Sequence, residues 1–267
     1  MYSNTAKSLT IIQEKEIRES GASHFQDILN RISNFNWSGG TSRPRYFQIR
    51  GIGEQSHYFG EGPPNFSIGY VMDNIDLSGL GMMGQLVDLS QIEVYKGPQS
   101  SVYGSNSIGG LVSLQSKNPN NKNIYYLSLT GGNDRQRSIS AIINLKMYKN
   151  LFFRFSTNYN QSNGFRKNSF LNVNNTNKKN ESFSRAKFFY NLDDSFNILA
   201  TIIKASFDNG YDVWAPDNNE KFETYSDDLG EDSQFTNAGS VKMNLQLNDN
   251  TRITSISSLS NTNLIHA

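Results

Sequence analysis

The chain has 267 residues, a formal net charge of +1, 36% hydrophobic residues and only 18% charged ones. Its mean hydropathy is −0.57, and no apolar run approaches the ~20 residues of a membrane-spanning helix, which excludes a helical membrane protein. The near-neutral balance gives no electrostatic reason to expect a nucleic acid partner. The absence of cysteine excludes disulfide frameworks and thiolate metal sites.

Uncharged polar residues fill the gap left by charge: 34 Asn and 21 Gly, with Ser also abundant. Disorder throughout is excluded by 17 Phe and 13 Tyr, which supply core material. The three histidines, His24, His57 and His266, lie far apart without metal-ligand spacing, so no metal site is expected.

Residues 1–8 read as an N-terminal extension. Met1 to Thr10 shows no basic start followed by an apolar segment, so no secretory signal is visible. Leu9 to Ile12 reads as a short strand and Gln13 to Ser20 as a short helix, with Gly21 placed as a left-handed cap. Ser23, with Gln26 three residues on, reads as a capping box. Phe25, Ile28, Leu29 and Ile32 then fall on one helical face. Strands follow at Tyr46 to Arg50, Ser67 to Asp73, Ile92 to Tyr95 and Gly110 to Ser116, separated by glycine-bearing loops. Residues 9–118 are thus expected to form a small α+β domain.

After Asn118-Pro119 a period of two takes over. Ile139, Ala141, Ile143, Leu145 and Met147 oppose Ser138, Ser140, Asn144 and Lys146. Leu151, Phe153, Phe155 and Tyr159 oppose Arg154, Ser156, Asn158 and Asn160. Ala186, Phe188, Tyr190 and Leu192 oppose Arg185, Lys187 and Asn191. Val241, Met243, Leu245 and Leu247 oppose Ser240, Lys242, Asn244 and Gln246. Between these runs Leu199, Ile203, Ala205 and Phe207 are expected to oppose Asn197, Lys204 and Ser206, although Ile198 and Ile202 blur that strand. Each run is about the length of a tilted membrane strand, and tight turns (149–150, 193–194, 248–250) alternate with long polar stretches (161–181, 208–233). That alternation is expected of a membrane barrel with short turns on one side and long loops on the other. Residues 119–267 are therefore expected to supply seven antiparallel transmembrane strands. Tyr125, Tyr126, Tyr148, Tyr159 and Phe165 suit interfacial girdles, and equally suit ordinary β-propensity.

The order of the halves, and several motifs, resemble the TonB-dependent receptors of bacterial outer membranes. Gly21-Ala22 with Asp27-Ile28-Leu29 is similar to one family segment, and Phe47 to Gly53, containing Ile49-Arg50-Gly51, to another. Val71-Met72-Asp73-Asn74-Ile75 resembles a third. The fullest match runs Ile-Glu-Val-Tyr-Lys-Gly-Pro-Gln-Ser-Ser-Val-Tyr-Gly from Ile92 to Gly104, continuing through Gly109-Gly110 to Leu114. Lys96 departs from the Arg usual there; a lysine offers a point charge without the bidentate fork.

The resemblance implies an α+β plug followed by β-barrel strands. It also implies active uptake across the outer membrane of a scarce nutrient, foremost an iron–siderophore complex, with energy drawn from the TonB complex. Partners would be TonB, an extracellular small molecule and outer-membrane lipid. Seven strands cannot close around such a plug, because open edges in lipid leave main-chain groups unpaired, and plugged transporters have about 22 strands. The simplest expectation is a piece of a longer protein, with about seven strands present. A soluble secreted β-rich protein that binds a ligand or glycan, carrying an α+β N-terminal domain, remains the alternative. A plug-like signalling protein that forms no pore is a third.

The plug motif residues divide by chemistry. Gly51, Gly97, Pro98, Gly104, Gly109 and Gly110 suit turns and close backbone approach, with Tyr103 inside the same motif. Arg50, Glu93 and Lys96 carry charge; the resemblance implies an ion-pair cluster, while surface charges on a small domain are the other reading. Candidate substrate contacts are His57, Tyr58 and Phe59 on a long plug loop, Met82 and Met83 in the stretch from Leu80, and Tyr211 and Trp214 in a long barrel loop with Tyr225. The same side chains could instead pack against protein. Arg50-Gly51-Ile52-Gly53 lacks the third glycine of a dinucleotide fingerprint. Asp193-Asp194 and Asp227-Asp228 are adjacent carboxylates that usually point to solvent, and His57 has no triad context. No enzyme and no cofactor are expected.

Overall fold

The computed structural model describes residues 8–38, 41–54, 66–80, 83–213, 215, 217 and 220–266. It divides into two compact units, Met1–Lys117 and Asn118–Ala267. No described helix is long and apolar enough to cross a membrane.

The first unit holds a five-stranded sheet and a three-stranded one. In the larger sheet the order is β1 (Leu9–Gln13), β7 (Leu89–Tyr95), β8 (Gly110–Ser116), β5 (Ile68–Met72) and β6 (Ile75–Asp76). Strand β5 pairs parallel with β8, Ile68 opposite Gly110, and the other pairs are antiparallel. All five residues of β5 are buried, as expected of a strand covered on both faces. The smaller sheet joins β2 (Phe35–Ser38), β3 (Tyr46–Ile49) and β4 (Ile52–Gly53).

Two tight turns shape this unit. Arg50 (φ 55°) and Gly51 (φ 80°) link Ile49 to its partner Ile52, and Asp73 (φ 49°) and Asn74 (φ 69°) link Met72 to Ile75. Two consecutive left-handed residues define the hairpin turn whose twist matches the flanking strands. Arg50 therefore lies in the turn and not at the end of a strand as its sequence pattern suggests; only Tyr46–Ile49 pair.

Helix α1 (Glu14–Glu19) ends as expected, with Gly21 at φ 68°. The next helix is a 3₁₀ segment, Phe25–Arg31, and its cap differs from expectation. His24, not Ser23, is the N-cap, and Asp27, not Gln26, completes the box: its Oδ2 accepts from the His24 N–H (2.9 Å) and the Ser23 N–H (3.0 Å). A charged acceptor outcompetes a neutral amide for these donors. The segment still buries Phe25, Ile28 and Leu29, because an i, i+3 repeat serves a 3₁₀ turn as well as an α-helical one.

Phe25 is the hub of this unit's core. Its ring lies 6.0 Å from Phe35, 5.9 Å from Phe47 and 5.9 Å from Tyr70, with edge-on or tilted geometry. Such pairs add to the area burial of each ring. Tyr70 has no exposed surface, and burial pushes its phenol pKa upward.

The second unit is built on one antiparallel seven-stranded sheet in the order β17, β16, β14, β13, β11, β10, β9. The strands are β9 (Ile124–Gly131), β10 (Arg137–Tyr148), β11 (Leu151–Ser162), β13 (Lys179–Asn191), β14 (Phe196–Gly210), β16 (Glu231–Asn248) and β17 (Thr251–His266). Two further short strands, β12 (Lys167–Asn168) and β15 (Glu223–Thr224), pair parallel in the loops. Among the described residues the seven-stranded sheet does not close.

Its two faces are inverted relative to a soluble protein. One hydrogen-bonded row carries Asn144, Arg154, Lys187, Thr201 and Ser240, all buried. The adjacent row on the opposite face carries Leu145, Phe153, Phe188, Ala200 and Val241, half-buried or exposed. Polar side chains withdrawn and apolar ones presented outward is the polarity of a membrane-barrel wall. The apolar band also runs obliquely across the rows. Ile139 on β10 shares its row with Tyr159, Ser182 and Ser206, so the band has already turned polar by β13. A tilt of strands against the band produces that drift.

Strand β14 departs from the expected parity. Pairing of Arg185 with Ile203 and of Phe183 with Ala205 puts Leu199, Ile203, Ala205 and Phe207 on the polar, buried face together with Asn197. Ile198, Ala200, Ile202, Lys204 and Ser206 share the outward face. Tyr126 likewise faces the polar side, opposite Ile142, which removes it from an outward girdle. Truncating Phe25 to Ala should cost about 3–5 kcal/mol, read as a lowered midpoint in urea unfolding of the first unit's tertiary signal.

Candidate functional site

Two polar assemblies stand out, one in each unit. In the first unit, the starts and ends of strands bring Ser8, Ser33, Arg50 and Lys96 together. The Lys96 N–H donates to the Ser8 carbonyl (2.8 Å), and its ammonium donates to Ser33 Oγ (2.8 Å). Arg50, exposed in its turn, donates from Nη2 to Ser8 Oγ (2.9 Å). Lys96 is buried. That burial, followed by the positive charge of Arg50, holds its pKa below the ordinary lysine value. No carboxylate pairs with Lys96 or Arg50 among the described residues.

Glu93 sits apart from this pair in its own network on the same sheet. Its carboxylate accepts from Gln91 Nε2 (2.5 Å), Tyr95 Oη (2.8 Å) and Gln115 Nε2 (3.0 Å). Burial first, then the charge of Glu93, raises the pKa of Tyr103. The motif glycines act through space: a Cβ on Gly110 would stand 2.7 Å from the Tyr95 carbonyl oxygen, and one on Gly109 2.6 Å from Ile52 Cγ2. Gly104 (φ 85°) closes the short helix α2 (Ser100–Tyr103). Pro98 offers its carbonyl to Gln99 Nε2 (2.7 Å), and Gly97 has open space around it.

In the second unit, the residues at 132–136, 163–178 and 211–230 all leave one end of the sheet, while the turns at 149–150, 192–195 and 249–250 close the other. The two long loops are tied together by Asp212, a buried carboxylate in a ring of neutral donors. Its Oδ2 accepts from Asn168 Nδ2 (2.7 Å) and Thr224 Oγ1 (2.8 Å), and its Oδ1 from Ser226 Oγ (2.9 Å). Asn168 also donates to the Ser226 carbonyl (2.8 Å) and accepts from the Leu171 N–H (2.8 Å). The β12–β15 ladder runs beside this centre, braced by the Lys167–Glu223 ion pair at 2.7 Å. Next to it Phe165 and Phe222 meet edge to face (5.2 Å), with the Arg166 guanidinium over both rings (5.7 and 5.6 Å). Phe222 holds a left-handed φ of 58°, a strained conformation for a bulky side chain.

The sequence candidates fare unequally. His57, Tyr58, Phe59, Met82 and Trp214 lie outside the described residues. Met83 has no exposed surface and belongs to the core, so it offers a ligand no contact; this corrects the expectation for that side chain. Tyr211 is half-buried with its ring 4.6 Å from that of His266, whose Nδ1 lies 3.3 Å from Asp232 Oδ1. Tyr225 is exposed on the same loop pair and donates to Glu223 Oε2 (3.4 Å). The Asp212 centre was not legible in sequence, because its partners stand 12 to 44 residues away and neutral donors carry no charge pattern. Asp193 proves to be a turn builder: Oδ1 accepts from the Ser195 N–H (2.8 Å), Ser195 Oγ (2.6 Å) and the Phe196 N–H (2.9 Å), which lower its pKa.

An α+β unit with these turn and glycine positions, followed by a sheet of inverted polarity, defines a plug joined to part of a barrel wall. Residues 2–111 match the TonB-dependent Receptor Plug Domain family, and the first unit is a TonB-dependent receptor plug. The chain is 31% identical over 145 residues to the Ferrioxamine B receptor of Salmonella typhimurium, a match covering 50% of this chain and 18% of that one. In structure it resembles the ferric yersiniabactin uptake receptor FyuA from Yersinia pestis (TM-score 0.84, 13% identity), over 97% of this chain and 41% of that one. It also resembles the siderophore receptor PiuA from Acinetobacter baumannii (TM-score 0.78, 18% identity), over 98% of this chain and 37% of that one. The chain thus spans about a fifth of the curated receptor's length and about two fifths of the structures.

The loop assembly should respond to acid. The hydrogen bond from Lys167, the largest of several causes, lowers the Glu223 pKa. Its contribution is therefore full above the unfolded value of about 4.3 and is lost as pH falls through the lower folded value. Limited proteolysis in the long loops should accelerate across that window. Glu223→Gln should cleave at the fast rate already at neutral pH, with a flatter dependence.

Proposed function

We propose that the chain is part of an outer-membrane receptor for active uptake of an iron–siderophore complex, energised by TonB. The observation that carries this reading is the pairing of a plug with a sheet whose apolar face is turned outward. A polar face withdrawn behind an apolar one has no use in water and a direct one in a bilayer, where lipid solvates the apolar side and strand pairing satisfies the main chain. The outer membrane holds neither ATP nor a sustained ion gradient, so import against a concentration difference needs energy relayed from elsewhere. The family to which the plug belongs is one of receptors, and the relatives described above are a ferrioxamine B receptor, a ferric yersiniabactin uptake receptor and a siderophore receptor; that supports an iron carrier as substrate and transport without chemical conversion.

The roles of the parts follow. The loop end of the sheet faces outside, with Tyr211 and Tyr225 as ligand contacts; His57, Tyr58, Phe59, Met82 and Trp214 are proposed from sequence as further contacts. The short turns face the periplasm, and the outward residues Ile198, Ala200, Ile202, Val241 and Met243 meet lipid. A soluble ligand-binding protein is disfavoured by the outward exposure of Phe188, Ile202, Val241 and Met243.

Two measurements test this. Cells expressing the gene for this chain in an iron-starved host without its own receptors should accumulate radiolabelled iron from ferrioxamine, and should lose that uptake when TonB is deleted. Equal uptake without TonB would sink the transport reading. Carried within a closed barrel reconstituted into vesicles, β14 and β16 should resist protease, and Val241→Arg should make insertion less favourable by about 2–4 kcal/mol, the cost of a cation at mid-bilayer.

A further inference from the structure

On the withdrawn face of the second unit, a row at the loop end runs Asn209, Asp232 and His266 across β14, β16 and β17. Tyr211 follows Asn209 by two residues and so turns to the same side, anchored by its N–H on the Gly230 carbonyl (2.9 Å). Strands β14 and β17 are not neighbours, because β16 lies between them. The rings of Tyr211 and His266, 4.6 Å apart and inclined at 52°, therefore meet over β16. There Asp232, its side chain without exposed surface, brings Oδ1 to 3.3 Å from His266 Nδ1.

The charged and titratable groups around the imidazole come from three strands and one loop. On β16 Asp232 is followed on the same face by the neutral Gln234. On β14 the face carries Asn209 and then Tyr211. On β13 Glu181 accepts from Asn209 Nδ2 (3.0 Å), and Lys179 lies two residues earlier on that face. Asp212, next to Tyr211, is turned into the loop centre described above. Among the described residues Asp232 is the acid within ion-pair reach of His266.

Imidazole is the side chain whose charge ordinarily changes between pH 5 and 8, and 32% of this one is open to solvent. Neutral, the ring packs on Tyr211 as one aromatic on another. Protonated, it forms an ion pair with a carboxylate withdrawn from water, where attraction is less screened, and it sets a cation against the tyrosine ring. The ion pair fixes the imidazole, and the cation holds the phenol to it. The added hold is present in acid and is lost as pH rises and the imidazole discharges.

We propose that His266 is a positioning residue for Tyr211: its protonated ring, seated on Asp232, holds the tyrosine in place and tightens ligand capture in mildly acidic medium. The capture step rests on the reading of Tyr211 as a ligand contact given above; the coupling of the two rings does not.

Two measurements separate these parts. In the first, the full chain carrying 13C-labelled tyrosine is folded in detergent, and the order of the Tyr211 ring is followed by NMR relaxation from pH 8 to 5.5. The signal is assigned by its loss in Tyr211→Phe. Order should rise as pH falls, and His266→Phe, which keeps a ring but cannot charge, should remove the pH response. In the second, radiolabelled ferrioxamine is bound at equilibrium to TonB-deleted cells expressing the gene for this chain. Affinity should be about threefold higher at pH 5.5 than at pH 7.5, the scale of an exposed cation–ring contact, and both His266→Phe and Asp232→Asn should abolish that ratio. A Tyr211 ring indifferent to pH, or one that responds equally in His266→Phe, overturns the proposal. So does a pH-dependent affinity that His266→Phe leaves intact. Ring order that follows His266, with ferrioxamine binding absent or equal at both pH values, keeps the coupling and removes Tyr211 from the ligand site.

Discussion

Main-chain hydrogen bonding across neighbouring strands is the constraint on which the second unit depends. Its outward face presents Leu, Ile, Phe and Val, so the environment that tolerates those side chains supplies no water to satisfy an open N–H or C=O. Strands β10, β11, β13, β14 and β16 are each paired on both sides along most of their length, with register shifts only between Lys146 and Tyr148 and between Gln246 and Asn248, close to the short turns. Polar side chains are then free to collect on the other face, where Arg154, Arg185, Lys187 and Glu181 are withdrawn from solvent. Alternation along each strand is the one pattern that meets both demands at once.

The first unit obeys a different rule. It has a conventional apolar core, organised around Phe25 and the rings that touch it, and its polar groups are placed by backbone turns. Arg50 illustrates how a motif residue serves two ends. It accepts a left-handed conformation to close a hairpin, and the same turn delivers its guanidinium to Ser8, where the chain enters β1. Lys96 donates its ammonium to Ser33 and its N–H to the Ser8 carbonyl. Two cations placed at one chain entry, each hydrogen-bonded to a serine and, among the described residues, neither to an acid, keep the entrance to β1 polar and positively charged.

The loop end shows how long polar segments can be ordered without apolar burial. Asp212 accepts three hydrogen bonds from neutral side chains on two loops; hydrogen bonds to a charged acceptor are worth more than neutral ones. That centre fixes the β12–β15 ladder and holds Phe165, Arg166 and Phe222 as a cluster. Its hydrogen bonds draw on residues from both loops.

Much of this was written in the sequence. A period of two with polar and apolar sides fixes the face of a strand whenever each side is chemically pure, which is why Ile143, Phe155, Phe188 and Val241 could be assigned outward from composition alone. Gly21 and Gly51 mark turns because left-handed backbone admits few residues, whereas the turn at Asp73 and Asn74 falls inside what reads as a strand motif. Where the local signal is degenerate, neighbours decide. The run from Phe196 to Phe207 is apolar on both sides, so its parity is set only by the register that pairs Ile203 with Arg185 and Ala238. The Ser23 and His24 amides choose Asp27 because a carboxylate is the stronger acceptor within reach. Met83 reads as a loop methionine open to a ligand and lies in the core, where the buried Tyr70 hydroxyl meets its carbonyl. The Asp212 centre has no sequence signature at all: it arises where two loops, separated by two full strands, are brought together by the sheet that carries them.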